Sequence, residues 1–202
     1  MLEPKQDSKL AAIVLAAGAS SRMGRAKQLL QLGGQSLVRH AAEIAYAAGC
    51  SPVVVVVGAQ AEFVRAELKG MAVRTVENHD WSEGLASSIR CGLGALSRDA
   101  DAVVLLLCDQ PAVSPALLET MLRTQRESRK PIVACRYGGV VGPPALFLRE
   151  RFPQLLALRG DVGARAILEQ AALEVATVDF PDGAFDLDTP EDWESWKARL
   201  GA

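Results

Sequence analysis

Histidine and cysteine are scarce in this 202-residue chain, and neither is clustered. The two histidines, His40 and His79, lie far apart, and Cys50, Cys91, Cys108 and Cys135 form no CxxC pair. That spacing excludes a zinc site of the usual Cys/His kind and fits reduced thiols packed into a core. Positive charge is not in surplus: 22 Lys and Arg stand against 24 Asp and Glu, a formal net charge of -2. A nucleic-acid partner is therefore not expected. Long hydrophobic runs are also missing. The longest apolar stretches are about seven residues, where a bilayer span needs roughly 20. The first residues, Met-Leu-Glu-Pro-Lys, are polar and of mixed charge, unlike a signal peptide. The expectation is a cytoplasmic protein with no membrane partner.

What is present is enough apolar sequence for one sizeable core, since half the residues are hydrophobic. A tail at 1–9 followed by one domain at 10–200 is expected. Short β-branched runs at 10–16, 52–57, 73–77, 102–108, 132–137 and 173–178 read as strands. Amphipathic segments at 36–48, 60–69, 84–96, 115–126 and 161–170 read as helices between them, with a last helix after Thr189. Ser114 followed by Pro115 marks a helix start. The stretch 138–161 is rich in Gly and Pro and carries no clear period. Strands apolar on both faces and separated by helices predict a doubly wound α/β fold, its mainly parallel sheet covered by helices on both sides. Ligands in such a fold sit beyond the carboxyl ends of the strands. That directs attention to the loops at 16–27, 77–84, 108–113 and 183–189.

The first of these loops reads Leu15-Ala16-Ala17-Gly18-Ala19-Ser20-Ser21-Arg22-Met23-Gly24-Arg25-Ala26-Lys27. Glycines let a chain turn its N–H groups inward to make a nest for phosphate oxygens, and Arg22 and Lys27 add positive charge for a triphosphate. The spacing is neither GxxxxGK[ST] nor GxGxxG, so this is not a P-loop or a dinucleotide fingerprint. A plain βα turn with exposed basic residues is the alternative. Farther on, the run 103–108 ends in Asp109-Gln110-Pro111. A carboxylate at a strand's carboxyl end, near a phosphate loop, suits magnesium, which takes one or two protein carboxylates and leaves its other positions to water and phosphate. An Asp that merely caps the following turn is the competing reading.

The pattern LAAGxSxRMGxxK resembles the signature of the molybdenum-cofactor nucleotidyltransferases, the MobA-like group with a GT-A-type, Rossmann-like nucleotide fold. The resemblance implies nucleotide contacts from Leu15, Ala16, Ala17, Gly18, Arg22 and Lys27, with Arg22, Lys27 and Asp109 catalytic. Ala16-Ala17-Gly18 and Cys108-Asp109-Gln110-Pro111 resemble the cytidylyltransferase (MocA) branch, which implies CTP as donor. The Ala17 methyl would favour a pyrimidine by narrowing the space beside the base. Asn78, Gly84 and Ser87 match the family's Asn, Gly and Ser pattern and are implied nucleotide contacts, although a cap and a tight turn would use the same residues. The run Gly160-Asp161-Val162-Gly163-Ala164-Arg165 is similar to a segment of the cytidylyl branch. Phe185-Asp186-Leu187-Asp188-Thr189-Pro190 is similar to another, and implies that Asp186 or Asp188 completes the magnesium site; Asp188 is preferred. Asp192 reads as a helix-dipole residue. Pro143 stands where the family commonly has a polar residue beside its acceptor pocket.

The function implied is transfer of CMP from CTP to the terminal phosphate of molybdenum-bearing molybdopterin, with release of pyrophosphate. A molybdenum hydroxylase or its accessory protein is the implied partner. GTP as donor, a sugar or alditol phosphate as acceptor, and a non-catalytic cofactor carrier are the alternatives.

Overall fold

A computed structural model describes residues 9–200; the expected tail, apart from Lys9, lies outside the described residues. The strands are β1 (Leu10–Ala16), β2 (Gln31–Leu32), β3 (Gln35–Ser36), β4 (Val53–Val57), β5 (Arg74–Glu77), β6 (Ala102–Leu107), β7 (Ile132–Tyr137), β8 (Val140–Leu148) and β9 (Val175–Asp179). The helices are α1 (Leu37–Ala47), α2 (Ala61–Glu67), α3 (Leu85–Gly94), α4 (Pro115–Ser128), α5 (Phe152–Ala157), α6 (Arg165–Gln170) and α7 (Pro190–Leu200).

Seven strands form one sheet in the order β5-β4-β1-β6-β8-β7-β9, and β2 pairs with β3 in a small hairpin. Successive strand residues point to opposite faces, and in the centre of the sheet both faces are apolar. Leu10, Ala12, Val14 and Ala16 of β1 join one buried cluster, where α1, α2 and α4 pack. Ala11, Ile13 and Leu15 join another, shared with α3, α5 and α6. This two-sided burial is why β1, β4 and β6 read as unbroken apolar runs. Ser114 caps α4 as its sequence predicts, its Oγ accepting from Leu117 N at 3.3 Å.

The stretch without a period contains β8, which runs antiparallel to both β6 and β7. Prolines rarely enter a central strand because they cannot donate to the ladder. Here the register slips: Ala134 pairs with Ala145 but Cys135 pairs with Gly142, so Pro143 and Pro144 stand at an irregularity and need no partner. The helix expected over 161–170 begins only at Arg165, because Asp161 to Gly163 are drawn into a loop against α3. Among the described residues, no helix is long and apolar enough to cross a membrane.

Chain order reverses at β1, which has β4 on one side and β6 on the other. The carboxyl ends of β1 and β6 therefore lie side by side, and the loops that leave them border a crevice at that end of the sheet. A third apolar cluster closes one side of it. Met23 from the loop after β1, Leu30, Leu37, Leu187, Trp193 and Trp196 bury one another there.

Candidate active site

The crevice is a cleft of about 660 Å³ walled by the loop after β1, the ends of β1 and β6, the turn at 81–85, Asp161 and the segment at 186–188. Its basic side comes from one short stretch. Ser20, a non-glycine residue at φ 57, and Gly24, at φ 70, bend the loop tightly. Among the described residues, the backbone N–H groups of Gly18, Ala19 and Ser20 donate to no protein acceptor. A side chain at Gly18 would meet nothing within 4 Å, and its φ is not positive. Neither local packing nor backbone conformation calls for glycine at 18, so what the residue leaves open is space in the cleft.

The acidic side is assembled from remote segments. Asp109 follows β6. Leu187 N donates to Asp109 O at 3.0 Å, which lays the segment 186–188 alongside it, while the buried Leu187 side chain anchors that segment in the third cluster. Thr189 and Asp192 then start α7: Asp192 Oδ2 accepts from Thr189 N at 2.8 Å and Asp188 N at 3.2 Å. The Thr189 hydroxyl, which donates to the same oxygen at 2.8 Å, and then these backbone bonds hold the Asp192 carboxyl below its ordinary range.

The two sides meet at Lys27. Its Nζ donates to Asp109 Oδ2 and, at 3.0 Å, to Asp188 Oδ1, and Arg22 reaches Asp188 Oδ2 at 2.9 Å. Burial works against the Lys27 charge, but the Asp109 carboxylate and the hydrogen bonds to Asp109 and Asp188 outweigh it, holding the ammonium above the ordinary lysine range. Asp109 Oδ1 is buried and has no hydrogen-bond partner among the described residues. Asp186 is open to the cleft on one side and crowded by protein on the other. Burial first, and the Asp109 charge second, push its carboxyl up to about 6.

These features fit a divalent cation. A buried carboxylate oxygen with no donor leaves an acceptor for a cation, and the Asp109 charge adds to burial in pushing the neighbouring Asp186 toward its neutral form. Among the described residues, no group of three or more His, Cys, Asp or Glu forms a cage for a metal by itself. Magnesium held by one or two carboxylates and a substrate's phosphates needs no such cage.

The other expected residues fall into two sets. Leu15, Ala16, Ala17 and Gly84 line the cleft with the loop. Gly84, at φ 105, takes a backbone shape open only to glycine, and a Cβ there would collide with Asp161 Cα. Ala17 is buried in the core cluster against which Trp81 packs. Asn78 and Ser87 are buried behind the cleft and do not line it. Asn78 Nδ2 donates to Ser87 Oγ at 2.8 Å and to Ser88 Oγ at 3.1 Å, and Ser87 Oγ donates to Gly84 O at 2.8 Å. They fasten the turn at 78–84 to the start of α3. Asp161 Oδ1 accepts from Leu85 N at 3.3 Å. Gln28, which no sequence pattern singles out, and Trp81 both line the cleft. Gln28 adjoins Lys27 and reads as a surface polar residue; its burial appears only in three dimensions.

Comparison with known proteins agrees with the motif. Residues 12–175 match the sequence model of the MobA-like NTP transferase domain. A nicotine blue oxidoreductase of Paenarthrobacter nicotinovorans is 35% identical over 89% of this chain and 92% of its own length. Purine catabolism protein PucB of Bacillus subtilis is 30% identical over 92% of this chain and 94% of its own. Among solved structures, Rv0371c of Mycobacterium tuberculosis has a TM-score of 0.81 at 30% identity, covering 95% of this chain and 98% of that one. The same protein in complex with manganese gives 0.74 at 31% identity, over 93% and 97%.

Proposed function

The chain is a member of the MobA-like NTP transferase family, and from that premise we propose that it transfers CMP from CTP to the terminal phosphate of molybdenum-bearing molybdopterin. An acceptor phosphate oxygen attacks the α-phosphorus of CTP. The new P–O bond joins the two, the α–β bridge breaks, and pyrophosphate leaves with the electron pair. No covalent enzyme intermediate is needed, so the protein contributes position and charge.

In this reading the free N–H groups of Gly18, Ala19 and Ser20 bind phosphate oxygens. Lys27 and Arg22 stabilise charge as it moves onto the departing pyrophosphate. Asp109 and Asp188 hold magnesium, which when bound neutralises phosphate charge. The manganese complex of Rv0371c supports a divalent cation in a relative's structure. Trp81 and Leu85 supply apolar surface for a ring system at the cleft's far wall.

One observation carries the proposal. Lys27 from the loop after β1, Asp109 from the end of β6 and Asp188 from beyond β9 meet at a single ammonium, beside backbone donors that have no partner among the described residues. The relatives named above are an oxidoreductase and a purine catabolism protein, so the reading rests on the site.

The test is incubation with each of the four nucleoside triphosphates, magnesium and either molybdenum-bearing molybdopterin or sugar and alditol phosphates, followed by pyrophosphate assay and mass analysis. Molybdopterin cytosine dinucleotide is the expected product. A guanine dinucleotide or an activated sugar would replace donor or acceptor within the same chemistry. Tight pterin binding without pyrophosphate from any pair would make the protein a carrier.

A further inference from the structure

Gln28 is 1% exposed, and a buried amide costs free energy unless its groups are bonded. Its bonds go to the last residue of β1 and to the loop that follows. Nε2 donates to Ala16 O at 3.2 Å and to Gly18 O at 2.6 Å. Oε1 accepts from Ser20 Oγ at 3.2 Å. The same hydroxyl oxygen accepts from Lys27 N at 3.1 Å. Ser20 stands in the left-handed region at φ 57, a conformation that persists in a non-glycine residue when its surroundings enforce it.

The direction of these bonds matters. In a planar trans peptide unit the carbonyl and the N–H point opposite ways. Holding Gly18 O against the buried Gln28 amide therefore turns Ala19 N–H away from the core and toward the cleft that Ala19 lines. The bond from Lys27 N to Ser20 ties the root of the ammonium side chain to the same network.

We infer that Gln28 is a positioning residue for polyphosphate: by fixing the Gly18 carbonyl inward it fixes the Ala19 N–H outward, and its bonds to Ala16 O and Ser20 Oγ hold the residues on either side, so that the loop is a preformed phosphate nest. It acts through the peptide units and touches no substrate. The inference rests on the triphosphate reading of the cleft and adds the residue that shapes its anion site. Preorganised donors bind more tightly than donors that must be ordered on binding, so loss of Gln28 weakens phosphate binding without removing a contact.

Titration calorimetry with inorganic tripolyphosphate tests this without an acceptor or turnover. The wild-type protein is expected to bind it at a stoichiometry of about one. Gln28→Met keeps the side chain's length and removes its polar groups. The expected result is a Kd raised by about tenfold or more at unchanged stoichiometry. A purely structural role would instead lower the folded fraction, so stoichiometry would fall while Kd held; that result overturns the inference. Ser20→Gly keeps the positive φ, deletes the hydroxyl that Gln28 and Lys27 share, and is expected to raise Kd about threefold. Should Gln28→Met fail to fold, Ser20→Gly decides, and an unchanged Kd there overturns the inference. Tripolyphosphate binding equal in wild type and both variants refutes Gln28 positioning alone. No binding to the wild type refutes the triphosphate reading beneath it.

Discussion

The two walls of the cleft are built on different plans. The basic wall is local: Gly18, Ser20, Arg22 and Lys27 lie within ten residues, and hydrogen bonds between near neighbours shape them. The acidic wall is remote: Asp109 and Asp188 are brought together by a backbone bond from Leu187 to Asp109 and by the burial of Leu187 with Met23, Trp193 and Trp196. One wall depends on polar geometry and the other on apolar packing. Substitutions should damage them in different ways, and that difference can be measured.

The largest effect is expected where the walls touch. Lys27→Ala and Asp109→Ala should each cut turnover by about 100- to 1000-fold, with the circular dichroism of the fold retained; near-normal rates at saturating CTP and magnesium would undo the assigned roles. Leu187→Ala comes next and touches no ligand. Emptying a fully buried site costs about 2–5 kcal/mol, so thermal unfolding should occur well below the wild-type midpoint. Metal binding should weaken more than tripolyphosphate binding, because Asp188 loses its anchor while the loop keeps its polar network. Equal loss of both would mean that the walls are not independent. Gly18→Ala should do the reverse: an unchanged melting temperature, since the new methyl meets no protein atom, and triphosphate affinity lower by about tenfold, or 1.4 kcal/mol.

The smallest effect is a pH dependence confined to the acidic wall. Asp186 is pushed up to about 6 from 3.8, so the folded state holds its proton more tightly than the unfolded state. Its contribution to stability is complete below the unfolded value and is lost as pH rises through about 6. Solvent on its cleft side keeps that contribution small. Cation binding runs the other way and should strengthen as pH climbs from about 5 to 7. Asp186→Asn should flatten the profile, which manganese titration by electron paramagnetic resonance would show.

The same contrast explains what could be read from residues alone. The strands β1, β4 and β6 declare themselves because both faces are buried, and the basic loop does so because its pattern is contiguous. Strand β8 does not. Its Gly142, Pro143 and Pro144 are turn formers by composition, and only the slipped register opposite Ala134 and Cys135 lets a strand contain them. Asp186 and Asp188 were both candidates, since residues two apart share a face of an extended chain. The structure distinguishes them by partner: Asp188 is paired with Lys27 and Arg22, and Asp186 is pushed toward its neutral form beside Asp109. Asn78 and Ser87 match ligand-contact patterns, yet their hydrogen bonds run to each other and to the turn, a use no spacing rule separates from ligand binding.

A cation at Asp109 and phosphates at the loop must share one space for this chemistry. Phosphorus NMR of CTP with manganese and the protein tests that directly, because a bound paramagnetic ion broadens only nearby phosphorus resonances. Strong broadening with wild-type protein, lost in Asp109→Ala although CTP still binds, is the predicted result. Manganese and CTP both bound, with phosphorus lines as sharp as those of CTP bound in magnesium, would contradict it.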